Sequence, residues 1–284
     1  MKTILVPYHD EDAARSALNT AILLAKPFDS YVEGMLAFND PRFSVGSFNP
    51  GMAPPPDYLA LAAEEWRRFA DHARSDFLKI TSEHGLPFEE PETGGQGLAA
   101  GWSEGQGSES EIVGTYGRLF DLIVMGRTKG DASSRWRETC EAALFETGRP
   151  LLLAPTAAPE SVGRSIVIGW NGSTETVRTI AMAMPLLLAA SRIEVVTVEG
   201  ETSFGPSGRQ IANHLARHGV AVSSRTLEPE GLPAGEVILN EAGDIGADLV
   251  IKGAFTRSRL RQVMFGGTTQ HILDHAQVPV LLAH

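Results

Sequence analysis

The chain has 284 residues, a formal net charge of −11, 43% hydrophobic and 21% charged residues, and a single cysteine. That length allows one large domain or two ordinary ones, and the acidic balance repels polyanions, which excludes a broad nucleic-acid surface. No apolar run approaches the roughly 18 residues of a membrane span, and the lone Cys140 cannot form an internal disulfide, which fits a reducing, cytoplasmic setting.

The opening MKTILVPYHDED carries a short apolar burst that turns acidic, too short for the apolar core of a signal peptide, and reads as a first strand. Tyr31-Val-Glu opens a second. Residues 38–58, FNDPRFSVGSFNPGMAPPPDY, are rich in Pro, Gly, Phe and Asn, lack a sustained period and read as a long irregular loop. The stretch GGQGLAAG at 94–101 has the wrong spacing and a loop-like context for a dinucleotide fingerprint. DLIVMG (121–126) and RPLLLAP (149–155) are apolar strands, and TAAPESVGR (156–164) reads as a linker.

The second half repeats the first. Ile4 onward (ILVPYHDEDAA) overlays Ile166 onward (IVIGWNGSTET) at an offset of about 162, with strand, polar turn and helix in the same order. At that offset Tyr31-Val-Glu falls on Ile193-Glu-Val; later, DLIVMG matches DLVIKG (248–253) and RPLLLAP matches VPVLLAH. Short Val/Ile/Leu runs without alternation are strands buried on both faces; in the second copy they are expected at 165–169, 193–198, 220–226, 248–252 and 280–283. Between them Val177, Ile180, Ala181, Met184 and Leu188 form one helical stripe, Ile211 and Leu215 a second, and Val237, Ile238, Asn240 and Glu241 lie in a third. Pro185 should kink the first of these helices or divide it. The strand after Pro279 is a candidate edge, and strands 150–155 and 279–283 can pair to complete a pseudo-dimer within one chain. The fold class is α/β: two tandem repeats, 1–156 and 163–284, each a five-stranded parallel sheet flanked by helices.

The stretch with the clearest chemistry is GAFTRSRLRQVMFGGTTQ, 253–270. From Leu249 through Leu273 there is no Asp or Glu, while Lys252, Arg257, Arg259 and Arg261 fall inside that window, a basic island that serves either as a solvated rim or as a local anion site. A strand ending at Gly253 lets the chain turn sharply and brings backbone N–H groups close to a phosphate. A Gly-containing turn at Gly266, Gly267 and Thr268 would open a helix whose N-terminal dipole is worth about 0.3–2 kcal/mol toward an anion. At the end of the first strand of this copy, Trp170 either stacks on a base or packs in the core. Asn171 either hydrogen-bonds a ligand or, with Ser173, caps the following helix. The sister loop after Gly126 is two residues shorter, lacks the closing glycines, and is accompanied by His9 and by acidic Asp10, Glu11 and Asp12, so the first copy is expected to bind no nucleotide. His214/His218 and His271/His275 are i,i+4 pairs without a third metal ligand. No GxSxG pattern occurs, and Cys140 has no evident activating neighbour.

On these features, above all GAFTRSRLRQVMFGG…VPVLLAH, the chain resembles the universal stress protein family in its tandem, two-domain form. The resemblance implies an adenine nucleotide alpha hydrolase-like, Rossmann-like fold. Members that bind ATP carry Gly, two residues, Gly, nine residues, then Gly followed by Ser or Thr; here those places hold Gly253, Thr256, Gly266 and Gly267. A β-branched Thr256 costs on the order of 1–2 kcal/mol if its position is left-handed, and Gly267 lacks the hydroxyl, which Thr268 can supply. Asn171 stands where the family usually has an aspartate. The resemblance thus implies a stress-response or regulatory protein, a homodimer or intrachain pseudo-dimer. It would hold ATP (with Mg²⁺) or AMP in the second domain through Trp170, Asn171, Gly253, Thr256, Gly266, Gly267 and Thr268, with no cofactor required and no catalytic residue. The alternatives are a nucleotide-free interaction and dimerisation module with an unknown protein partner, and a slow ATP hydrolase.

Overall fold

A computed structural model describes residues 1–8, 11–38, 55–127, 134–254 and 267–284. The chain divides into two compact units, Met1–Thr147 and Gly148–His284.

The first unit contains β1 (Thr3–Pro7), α1 (Glu11–Phe28), β2 (Tyr31–Phe38), α2 (Pro56–Glu83), β3 (Ala99–Gln106), α3 (Glu109–Tyr116), β4 (Leu122–Gly126) and α4 (Ser134–Glu146). Its strands lie in the order β3-β2-β1-β4, with β1 parallel to both β2 and β4 and β2 parallel to β3. Ile4, Leu5, Val6 and the run Leu122 to Met125 are fully buried, as the absence of alternation requires of strands covered on both faces. Gly94 (φ 64°) and Gly97 (φ 103°) precede β3. The glycine run at 94–101 therefore leads into a strand, whereas a dinucleotide fingerprint follows one.

The second unit contains β5 (Leu151–Ala154), β6 (Ser165–Gly169), α5 (Thr174–Ala189), β7 (Arg192–Val198), α6 (Gly208–Arg217), β8 (Val222–Leu227), α7 (Ala234–Asp244), β9 (Leu249–Gly253), α8 (Gly267–His275) and β10 (Val280–Ala283). Their order is β5-β10-β9-β6-β7-β8. The strand after Pro279 is therefore not an edge: β10 pairs in parallel with β9 and antiparallel with β5, Val280 facing Leu153 and Leu282 facing Leu151. An all-buried VLLA could not be left with an open side in water. The exposed edge is β8, where Ser223, Ser224, Arg225 and Thr226 face solvent. Helix α5 runs unbroken through Pro185; burial of Ile180, Ala183, Leu186 and Leu187 offsets the roughly 3 kcal/mol that an interior proline costs.

Each unit fastens its first strand in the same way. Asp121 accepts hydrogen bonds from the backbone N–H groups of Lys2 and Thr3 (3.4 Å for Thr3), and Asp248 accepts from those of Arg164 (3.2 Å) and Ser165 (2.9 Å). The second strands correct the sequence overlay by one residue. Leu5 pairs with Glu33 and Val167 with Glu194, so Glu33 corresponds to Glu194 and not to Val195. The first copy spends one more residue on its helix and turn. Both carboxylates are buried, but neutralised differently: Glu33 accepts from the phenols of Tyr31 (3.0 Å) and Tyr116 (2.9 Å), whereas Glu194 faces Arg192 (3.4 Å) and Arg225 (3.2 Å), the latter also holding Glu241 at 2.8 Å.

Candidate functional site

In the second unit the chain runs outward from β6 through β7 to β8, then returns to the other side of β6 for β9 and β10. The carboxyl ends of β6 and β9 therefore flank a topological switch point, where open parallel sheets accept ligands. Gly169 pairs with Lys252 across that point. Sequence neighbours at 169–173 and 252–253, far apart in the chain, are thus brought together.

The β6 side is an ordered turn. The Oδ1 of Asn171 accepts from the N–H of Ser173 (3.2 Å) and the hydroxyl of Thr176 (2.8 Å), and Ser173 caps α5 by accepting from the N–H of Thr176 (3.3 Å). Of the two roles open to Asn171, shaping the helix start is one that its carbonyl oxygen performs. Gly172 has φ 77°, a conformation that favours glycine. A loop from the end of β7 closes over this turn, Ser203 donating its N–H to the Asn171 carbonyl at 2.7 Å. Trp170 does not present a face for stacking: it is 3% exposed and its indole N–H is donated to the Pro206 carbonyl at 2.9 Å. It anchors the loop instead, because a buried indole needs one acceptor and the loop carbonyl supplies it.

On the β9 side, Gly253 is needed for packing. A Cβ there would come within 2.7 Å of the Thr176 hydroxyl and 2.8 Å of the Glu175 carbonyl carbon, inside the first turn of α5. Gly126 has the same relation to Ala13 in α1. Gly267 opens α8, and a Cβ on it would meet nothing within 4 Å among the described residues. Thr268 is the next residue of that first turn, and the third, Thr269, is buried. Thr256 and Gly266 lie outside the described residues.

Sequence reasoning gave Lys252 no role beyond membership of the basic island. It is 6% exposed, and its ammonium donates to Thr269 Oγ1 (3.2 Å) and to the Gly253 carbonyl (3.4 Å). Among the described residues it has no carboxylate at ion-pair distance. Burial lowers its pKa from 10.5 to about 8, with the field of Glu201 partly offsetting that. A lysine in a run otherwise as apolar as LVI was the available signal.

A family model described as the Universal stress protein family matches residues 189–284. That segment is similar to universal stress protein domains. Universal stress protein Slr1230 of Synechocystis is 26% identical over 175 residues, 57% of each chain, so this chain spans little more than half of that relative. A universal stress protein of Archaeoglobus fulgidus has a similar fold (TM-score 0.68, 13% identity) over 99% of this chain and 95% of its own. A Pseudomonas aeruginosa protein put forward as a universal stress protein matches 100% of this chain and 93% of its own (TM-score 0.56, 16% identity).

The other features fall outside the candidate site or are silent. His271 and His275 stack at 4.3 Å and His214 and His218 meet at 4.8 Å, but among the described residues no three His, Cys, Asp or Glu converge on a metal position. Cys140 is fully buried, and burial pushes its thiol well above the ordinary value, the opposite of an activated nucleophile. In the first copy the indole of buried Trp136 donates to the Gly126 carbonyl at 2.8 Å, covering the strand end that corresponds to Gly253. No helix among the described residues is long and apolar enough to cross a membrane.

Proposed function

We propose that the protein is a stress-response regulator whose second repeat binds an adenine nucleotide, ATP with Mg²⁺ or AMP, while the first repeat does not. The observation that carries this reading is the convergence of the β6 turn, the end of β9 and the first turn of α8 at one switch point. There, the N-terminus of α8 would offer its backbone donors to a phosphate. Asn171, Gly253, Gly267 and Thr268 would frame the ligand, with Thr256 and Gly266 completing the loop. Trp136 over Gly126, and the shorter loop that follows, support a first repeat without the site. The output would be conformational or interaction-based.

A second reading, a nucleotide-free interaction module, draws on a specific observation: packing accounts for Gly253 and helix capping for Asn171 without any ligand. Calorimetric titration with ATP and AMP, with and without Mg²⁺, separates the two. One site per chain supports binding in the second repeat, and Gly267→Ser, whose side chain has room, should tighten it by adding a hydroxyl donor. Absence of heat and of any thermal shift at millimolar nucleotide would sink the nucleotide reading and favour the module.

A further inference from the structure

We propose that Lys252 is the cation that receives the ligand's phosphate in the second repeat, held ready by Thr269 at the first turn of α8; the proposal rests on the nucleotide reading above for the identity of the ligand. Three observations converge on it. First, the ammonium is buried with two long hydrogen bonds and, among the described residues, no counter-charge at ion-pair distance. A lysine carries three donors, and an unpaired buried charge is costly enough that folds rarely keep one without a use. Second, its position makes the cost worse. Thr269 belongs to the first turn of α8, so the ammonium lies beside the positive end of that helix, a repulsion that a bound anion converts into two attractions. Burial lowers the pKa of the ammonium, and Glu201 is the carboxylate whose field partly offsets that.

The third observation is the sister repeat. Aligning DLIVMG with DLVIKG places Met125 at the position of Lys252, and counting back from Pro150 and Pro279 places Cys140 at that of Thr269. Both are completely buried. The repeat with the shorter loop and the Trp136 cover has thus exchanged the lysine–threonine pair for two apolar, sulfur-containing side chains of suitable size. Cation and hydroxyl are present together or absent together, as expected of a pair that serves one ligand.

The test uses the full chain and its Lys252→Met variant, a residue the fold already accommodates at Met125. Binding of ATP, adenosine and inorganic tripolyphosphate is followed by calorimetry and by the side-chain carbon resonances of ¹³C-labelled lysine. The variant should lose roughly 10- to 100-fold in affinity for ATP, the range for one hydrogen bond to a charged group, while adenosine binding stays within about twofold. Tripolyphosphate should shift the Lys252 resonance in the parent chain. Equal ATP affinity in both proteins overturns the Lys252 assignment and leaves the nucleotide reading intact. Tripolyphosphate binding that needs Lys252, without any binding of ATP or adenosine, overturns the adenine reading and keeps the lysine as an anion receptor. Binding of none of the three overturns both.

Discussion

If Lys252 is kept for an anion, it should cost stability whenever that anion is absent, and the cost can be worked from its titration. The folded value is about 8 against an ordinary 10.5, and each tenfold displacement is worth about 1.4 kcal/mol, so the buried charge costs the native state at most roughly 3 kcal/mol below pH 8. Because the folded value is the lower one, the unfolded chain holds more protons between pH 8 and 10.5. Stability from this group therefore rises with pH through that window, and the penalty is complete below it. Lys252→Met removes the penalty together with two long hydrogen bonds worth about 0.5–1.5 kcal/mol each at most. The variant should be more stable than the parent by up to about 2 kcal/mol at pH 7, and the gap should close or reverse by pH 10. Urea unfolding of both proteins at pH 7 and pH 10, without nucleotide, measures it. Every other titratable group is common to both chains and cancels in the difference. A variant that is less stable at pH 7, or a gap that does not change with pH, would refute the idea of an uncompensated buried charge.

Two further substitutions test the packing that frames the site. Gly253→Ala and Gly126→Ala force a methyl against the first turns of α5 and α1, and each should lower the urea midpoint by the equivalent of about 1–3 kcal/mol; a neutral result would mean that the helix starts can give way and that packing does not require these glycines. Arg225→Met leaves the buried carboxylates of Glu194 and Glu241 without their shared cation. It should cost on the order of 2–3 kcal/mol, less than a fully buried pair would because Arg225 is about half exposed. Pairing it with Glu194→Gln should recover part of that loss in thermal unfolding.

Much of the fold was legible because its signals are local. Strands such as ILV and LLL are buried on both faces and show it by lacking alternation, and the repeat itself doubled the evidence for each element. Misreadings arose where tertiary context decides. The overlay slipped by one residue at Glu194 because a constant offset cannot register an extra residue between helix and strand, whereas the parallel pairing of Val167 with Glu194 does. The pairing of 150–155 with 279–283 is legible as a possibility, and the structure forms it; the same pairing removes the edge that the strand after Pro279 suggests, because VPVLLAH by itself does not choose between the two. At the site, the cap role of Asn171 and the core role of Trp170 are each one of two readings open to the sequence, and the choice for Trp170 depends on the loop at 203–206; the packing of Gly253 against α5 is not legible, because it depends on where that helix docks. Lys252 was visible only as one basic residue among several; its burial and its bond to Thr269 depend on where α8 docks.

The two repeats also permit the reverse substitution, and it discriminates further. Met125 is fully buried in β4, and its partner by position is the buried thiol of Cys140, a weak acceptor for an ammonium. Met125→Lys places a charge opposite the Cys140 position, where Trp136 already donates to the Gly126 carbonyl. It should destabilise the chain by about 3–5 kcal/mol at pH 7, more than Lys252 costs in its own repeat, and the loss should shrink as pH rises and the amine deprotonates. Adding Cys140→Thr should return about 1 kcal/mol through one hydrogen bond but should not create a tripolyphosphate site, because the first repeat's loop is two residues shorter and lacks the closing glycines. If Met125→Lys proves as stable as the parent, the strand end in the first repeat is open to water. The same openness would then have to be allowed at Lys252, and the case for an anion there would lose its energetic basis.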